Sequence, residues 1–483
     1  MLHSRIVLAL LACAVAVPAT IVLVLSAGIS PSGKLYSILL FAALCVAMAQ
    51  WIYTLLRPGF HPIAVVHSLV CVWLIYTPAL YHIEVGYFPF FSQFFKSDIL
   101  VTGGVVSLFH SIIFFATYVA ADQSLRFHRT APMPSRNTIT NLYWVVMGLC
   151  LVGVLFVFIF GFDTYWRPRA NNGDVELDKA EVLIALTYPR AIPIVALVLS
   201  AYLYRMRGYW LPLLCSIIIS AVLLAPQSAP RVQVIGTCLA VLYILFDMHK
   251  LRNKVVFSAM SLGGILVFLP VLNLISREAS FSGASINRLL THGDFGQYQG
   301  MLTAISWVED QGLRWGHQFS GWFAFFIPRA LWSGKPLSTG EVSAEALAMP
   351  FTNFSVPIQG ELFVDFGYFG LVTLTIMLSY MAARLDRSAY VNRANRALSS
   401  VPFAIAFGMS GMFFRGSTIA VMPLVAIPVA LAWLVVWAAP RLPGLFRPGR
   451  AQSVSLSRAG NWRRNNTLNR IGPSRPDNMR NGI

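Results

Sequence analysis

Arg231, Arg329, Lys335 and Arg415 fall at or near the outer ends of apolar segments. A charge there is costly unless it is paired or faces a wet cavity. A lipid-borne pyrophosphate would supply the matching anion at that depth. Arginine suits the task because its planar fork holds phosphate oxygens two at a time. Taken singly, each of the four reads first as a snorkelling or ion-paired side chain and second as a ligand. The acidic residues assigned to the same side leave mutual pairing open as well. Spacing alone therefore specifies a polytopic chain with a candidate anion site.

The elements that must position these cations are membrane helices. Of the 483 residues, 57% are hydrophobic and 11% charged, more apolar surface than a soluble chain of this size can bury. A spanning helix needs about 20 mostly apolar residues. Twelve segments qualify as candidates, near 6–27, 35–56, 62–82, 99–121, 141–161, 182–204, 211–225, 232–247, 255–275, 360–383, 401–414 and 417–438. The seventh, eighth and eleventh are short. The expected fold is an all-α polytopic integral membrane protein of about twelve transmembrane helices. Residues 1–440 would form one membrane domain with a single large outer loop, 276–359.

Charge sets the expected orientation. With connections assigned alternately to two sides, the side holding both termini receives 23 basic and four acidic residues, and the other side 13 and 15. Both termini are therefore expected in the cytoplasm, with the large loop outside. The net charge of +17 is mostly this topological signal, so no nucleic-acid partner is inferred. The tail 441–483 carries nine arginines among Asn, Ser and Gly. It is expected to be disordered, lying on anionic lipid or serving as a solvated stop-transfer flank. Residues 1–27 resemble a signal peptide but read better as an uncleaved first helix. All six cysteines fall in apolar segments, and no Cys/His spacing points to a metal or a disulfide framework.

Three pieces of the long loop are readable. Thr303 to Asp310 has the pattern of a short amphipathic helix, with Ile305, Trp307 and Val308 available to protein or headgroups. Trp315, Phe319, Trp322, Phe323, Phe325, Phe326 and Trp332 form an aromatic stretch suited to an interfacial helix. Pro328-Arg329 and Gly334-Lys335-Pro336 then break the helix twice and hold two cations on stiff backbone.

The run FIPRALWSGKP (Phe326 to Pro336), followed by GELFVDFGYFG (Gly360 to Gly370), resembles the signature region of the O-antigen polymerase (Wzy-type) family, the oligosaccharide repeat-unit polymerases. The matching residues are Pro328-Arg329, Trp332, Lys335-Pro336, Gly360-Glu361 and Phe366-Gly367. Arg231, opening a helix in PRVQVIGTCLAVLYIL, resembles the family's Arg-led middle helix. Ser333-Gly334 departs from the family, where an acidic or Pro-containing pair is commoner. The motifs cover about a tenth of the chain, while the hydropathy plan fits along its length.

The resemblance implies an inner-membrane enzyme that joins undecaprenyl-pyrophosphate-linked repeat units into an O-antigen or exopolysaccharide at the periplasmic face. It also implies a chain-length regulator and a flippase as partners. Arg231, Arg329, Lys335 and Arg415 would stabilise the leaving pyrophosphate without a metal, with Trp332 beside the glycan. An acceptor hydroxyl needs a general base, for which Glu361, Asp294 and His317 are the candidates. Asp365, one turn beyond Glu361, is its partner or substitute. No cofactor is expected. The chain has no Asp-x-Asp motif, no acid in its first outer loop, and no glycine-rich nucleotide loop. Gly103-Gly104 and Gly263-Gly264 read as packing positions. Two alternatives stay open. An O-antigen ligase would use an outer-loop histidine such as His317 or His292. A lipid-linked sugar transporter would need charges deep within helices, for which Arg190 and Asp247 come nearest.

Overall fold

The structure, a computed structural model, describes residues 35–90, 95–124, 132–166, 186–246, 250–263, 290–291, 293–349, 354–394 and 396–442. The first expected span, most of the loop 162–181, the beginning of the long loop, His292 and the tail from 443 lie outside the described residues. So do Asp247 and Gly264. The described chain is all-helical. Its helices are α1 (Leu35–Leu56), α2 (Pro62–Val85), α3 (Ser97–Ser124), α4 (Arg136–Phe160), α5 (Phe162–Trp166), α6 (Tyr188–Arg207), α7 (Trp210–Leu223), α8 (Arg231–Leu245) and α9 (Leu251–Gly263). After a 3-10 turn at Gly293–Phe295 come α10 (Gln297–Gln311), α11 (His317–Phe323), α12 (Thr339–Ala346), α13 (Ile358–Ala394), α14 (Ser400–Arg415) and α15 (Thr418–Ala438). Each expected span that reaches described residues is helical there. Six helices, α1 to α4, α13 and α15, are long and apolar enough to cross a membrane.

Helix α2 is buried from Pro62 to Ile83 and forms the centre of the bundle. Its middle turn, Val70–Tyr76, is wound as a π-helix just ahead of Pro78. Pro78 has no N–H, and its ring crowds the carbonyl four residues back, so a wider turn accommodates it. Around α2 pack α1, α3, α13 and α14. Asp386 of α13 caps the N-terminus of α2, accepting from the Ile63 and Ala64 main-chain N–H groups at 3.0 and 3.2 Å and from the Tyr118 hydroxyl at 2.7 Å. Deeper in the bundle, the Nε2 atoms of His67 and His110 lie 3.0 Å apart. Gln50 bonds one ring and Thr375 the other, so α1, α2, α3 and α13 are tied through one buried polar chain.

Two features of the sequence position the candidate residues. Helices α8 and α14 cross at Gly236 and Gly408, where an added Cβ would come within 2.5 and 2.1 Å of the facing carbonyl oxygen. Only hydrogen at both positions allows backbones this close. The second feature is Gly367, whose φ of 61° and ψ of −144° interrupt α13. The carbonyls of Val364 and Asp365 lose the N–H groups they would meet in a continuous helix. Arg314 and Trp315 donate their main-chain N–H groups instead, at 3.1 and 2.8 Å.

The segment expected as a short amphipathic helix is longer, Gln297–Gln311, and its apolar residues meet protein. Ile305, Trp307 and Val308 are all buried, because α10 packs against α3, α12 and α13. The aromatic stretch divides. Trp322 is buried, while Trp315, Phe323 and Phe326 stay exposed on one short helix and the turns around it. Gly103 and Gly104 do serve packing, against Leu302 and Leu39.

Candidate anion site

Arg231 is the first residue of α8 and Arg415 the last of α14, and these helices run antiparallel through the glycine crossing. Their guanidinium groups therefore converge at one end of the bundle. Both grip Asp294. Arg231 Nη1 and Nη2 donate to Asp294 Oδ2 and Oδ1 at 2.8 and 3.2 Å, a fork-on-fork pair. Arg415 Nη2 donates to Oδ1 and to the Asp294 main-chain oxygen, each at 3.2 Å. All three side chains are nearly nine-tenths buried. Asp294 is thus a partner of the cations. Both of its carboxylate oxygens accept from guanidinium N–H groups.

Both helices are short. With 15 and 16 residues, α8 and α14 extend about 22 to 24 Å at 1.5 Å per residue, short of a hydrocarbon core of about 30 Å. A pair of arginines at such helix ends must be satisfied by protein or by a ligand, and Asp294 supplies part of that.

Glu361 belongs to the same end. It lies in the first turn of α13, almost fully buried. Its Oε2 accepts the Thr339 hydroxyl at 2.8 Å, while Oε1 has no hydrogen-bond partner among the described residues. The Ser417 hydroxyl and the Thr418 main-chain N–H lie beside the carboxylate. Ser417 follows Arg415 by two residues and links the segments, accepting from the Gly340 and Val356 N–H groups at 3.2 and 3.3 Å. Among the described residues, other buried polar atoms at this end also have no hydrogen-bond partner: Arg415 Nε, Thr418 Oγ1 and Gln297 Oε1. Native interiors rarely leave such atoms unpaired, and where they cluster a ligand or water is the usual reason.

The remaining candidates make contacts of their own. Asp365 accepts from the N–H groups of Gln318 and Phe319 and so caps α11; it is a structural partner of the loop rather than of Glu361. Arg329 donates to the Lys335 and Pro336 carbonyls at 2.6 and 3.1 Å. Lys335 Nζ donates to the Phe325 and Ile327 carbonyls at 2.6 and 2.8 Å. These two cations thus fold the FIPRALWSGKP run onto itself. Partial burial, then the charge of Arg329, holds the Lys335 ammonium below its ordinary value. Trp332, half-buried, takes part in the same turn through its backbone. His317 opens α11 and is exposed. Thr339, Ser417 and Thr418 escaped the sequence reading because lone hydroxyl residues carry no pattern. No family model, curated protein or solved structure matches this chain.

Proposed function

We propose that the chain polymerises lipid-linked oligosaccharide repeat units, as a metal-independent membrane glycosyltransferase. The carrying observation is the convergence of Arg231 and Arg415 on Asp294, at the end of the bundle that also holds the buried Glu361. In this reading the two arginines take the pyrophosphate of the undecaprenyl-linked donor. They stabilise the charge that gathers as the bond from the sugar carbon to the pyrophosphate oxygen breaks. The acceptor hydroxyl gives its proton to Glu361 Oε1 as its oxygen bonds to that carbon. Thr339 orients the carboxylate. Arg329 and Lys335 act one step back, holding the aromatic loop that would cover the glycan.

The test is deletion of the gene with gel profiling of surface glycan, complemented by wild type, Arg231→Ala and Arg415→Ala at matched membrane levels. Single capped repeat units from the deletion and both variants support the proposal. Full-length polymer retained on the lipid carrier would indicate a ligase. The buried His67–His110 chain favours one other reading, a transporter, since polar groups deep in a bundle often line a path. That reading predicts unflipped lipid-linked units and no surface glycan at all.

A further inference from the structure

A pair of buried arginines near headgroup level faces a selectivity problem. Membrane phosphodiesters carry one negative charge each and are present in great excess over any lipid-linked sugar. We propose that Asp294 solves it, acting as an internal competitor that lowers the affinity for every anion, so that a dianionic pyrophosphate diester still binds while monoanionic phosphodiesters fall below the affinity needed to occupy the site. This inference rests on the pyrophosphate reading of the Arg231–Arg415 site.

Asp294 presents to Arg231 what a phosphate presents: two oxygens matched to two N–H groups, here at 2.8 and 3.2 Å. Arg415 adds a third bond to the same carboxylate at 3.2 Å. A phosphodiester that displaced Asp294 would exchange one negative charge for one. It would gain no Coulomb energy and would lose its own freedom of motion, which the tethered carboxylate never had. A pyrophosphate diester brings two negative charges to the same two guanidiniums. The extra charge, within a few ångströms of cations in a partly buried site, corresponds to roughly 10- to 100-fold in affinity.

The local geometry allows this exchange without moving a loop. The Asp294 main-chain oxygen is held apart from its carboxylate by Gln297 Nε2 at 2.6 Å. Phe90 covers the flanking turn so closely that a Cβ on Gly293 or Gly296 would meet its ring at 2.9 or 2.2 Å. The backbone is therefore clamped, and release of the carboxylate needs rotation of one side chain. Arg415 Nε, buried with no hydrogen-bond partner among the described residues, belongs to the guanidinium that binds the carboxylate and is a further N–H donor for the incoming anion.

The experiment uses the full chain in phosphatidylcholine nanodiscs, titrated with a dihexyl pyrophosphate diester and with dihexyl phosphate. Wild type should bind the pyrophosphate at least roughly 10-fold more tightly than the phosphate. In Asp294→Asn both should bind more tightly by a similar factor, roughly 10-fold or more, so that the phosphate now occupies a site it leaves empty in wild type. Asp294→Glu, which keeps the charge, should retain the wild-type affinities and shows that the fold tolerates change at this position. A wild-type ratio near one, or affinities unchanged in Asp294→Asn, overturns the selectivity role while leaving the anion site standing. Failure of both diesters to bind wild type and a folded Asp294→Asn overturns the pyrophosphate reading itself, and this inference with it.

Discussion

Gly408→Ala is the most informative single substitution outside the charged residues. Its Cβ would sit 2.1 Å from the Gly236 carbonyl oxygen, whereas ordinary contact begins near 3.4 Å. Helices α8 and α14 must therefore part by about 1.3 Å, or rotate by an equivalent amount, because both atoms belong to backbone and cannot swing aside. Arg231 and Arg415 lie about 8 and 10 Å further along these helices, at 1.5 Å per residue, so most of the displacement reaches them. The two Arg415 bonds to Asp294, already 3.2 Å long, would stretch out of hydrogen-bond range. Overpacking of this kind costs about 1–3 kcal/mol, and a misplacement of about 1 Å at a reacting centre can cost 100-fold in rate. The assay is thermal melting of the purified chain followed by tryptophan fluorescence, paired with surface-glycan profiling at matched expression. Gly148→Ala is the control, since a Cβ there meets nothing within 4 Å. Gly408→Ala should melt lower and lose long glycan, while Gly148→Ala should do neither. A Gly408→Ala protein that melts with wild type and makes full-length glycan would refute the crossing as the device that aligns the arginines.

Three further outcomes are expected. Gly367→Ala should destabilise by about 1–3 kcal/mol through backbone strain alone, because Leu313 at 3.6 Å leaves room for the methyl group; an unshifted melting curve would show that the break in α13 is not needed. Asp365→Ala should cost about 0.5–2 kcal/mol and expose the stretch from Gly312 to Phe323 to protease, since it removes the cap of α11; equal cleavage rates in variant and wild type would count against that role. Burial, partly offset by Asp122, holds His61 at about 4, below its ordinary 6.5. The folded chain leaves this imidazole neutral where an unfolded one is protonated. Stability present above pH 6.5 is therefore lost as pH falls toward 4, by about 3 kcal/mol at most. His61→Gln should flatten that limb of the melting curve, and an equally steep limb in the variant would contradict the assignment.

Helices were legible because apolar length and hydrophobic run are local properties. Arg231 opening α8 and Glu361 entering α13 could be read directly, and α10 was visible in outline. Burial of α10 was not, because a helix of mixed composition reads alike whether its partner is protein or lipid headgroups. The Phe366-Gly367 pair was expected simply to enter a helix; it breaks one, and a positive φ leaves no trace in hydropathy. The pairing of Asp294 with Arg231 and Arg415 bridges 63 and 121 positions of sequence. Such contacts follow from how α8 and α14 cross, and the glycines that permit the crossing are spaced like any others. Arg329 and Lys335 illustrate the converse: two cations on stiff backbone look like ligands in sequence, but the same stiffness turns their donors onto neighbouring carbonyls.

The most direct test of the central claim is reconstitution. The purified chain in nanodiscs, given undecaprenyl-pyrophosphate-linked repeat units and no other protein, should produce a ladder of polymer with release of the lipid pyrophosphate. Glu361→Gln and Arg231→Ala should each abolish the ladder while remaining folded. A ladder that persists in both variants, or none from wild type with authentic substrate, would contradict the account.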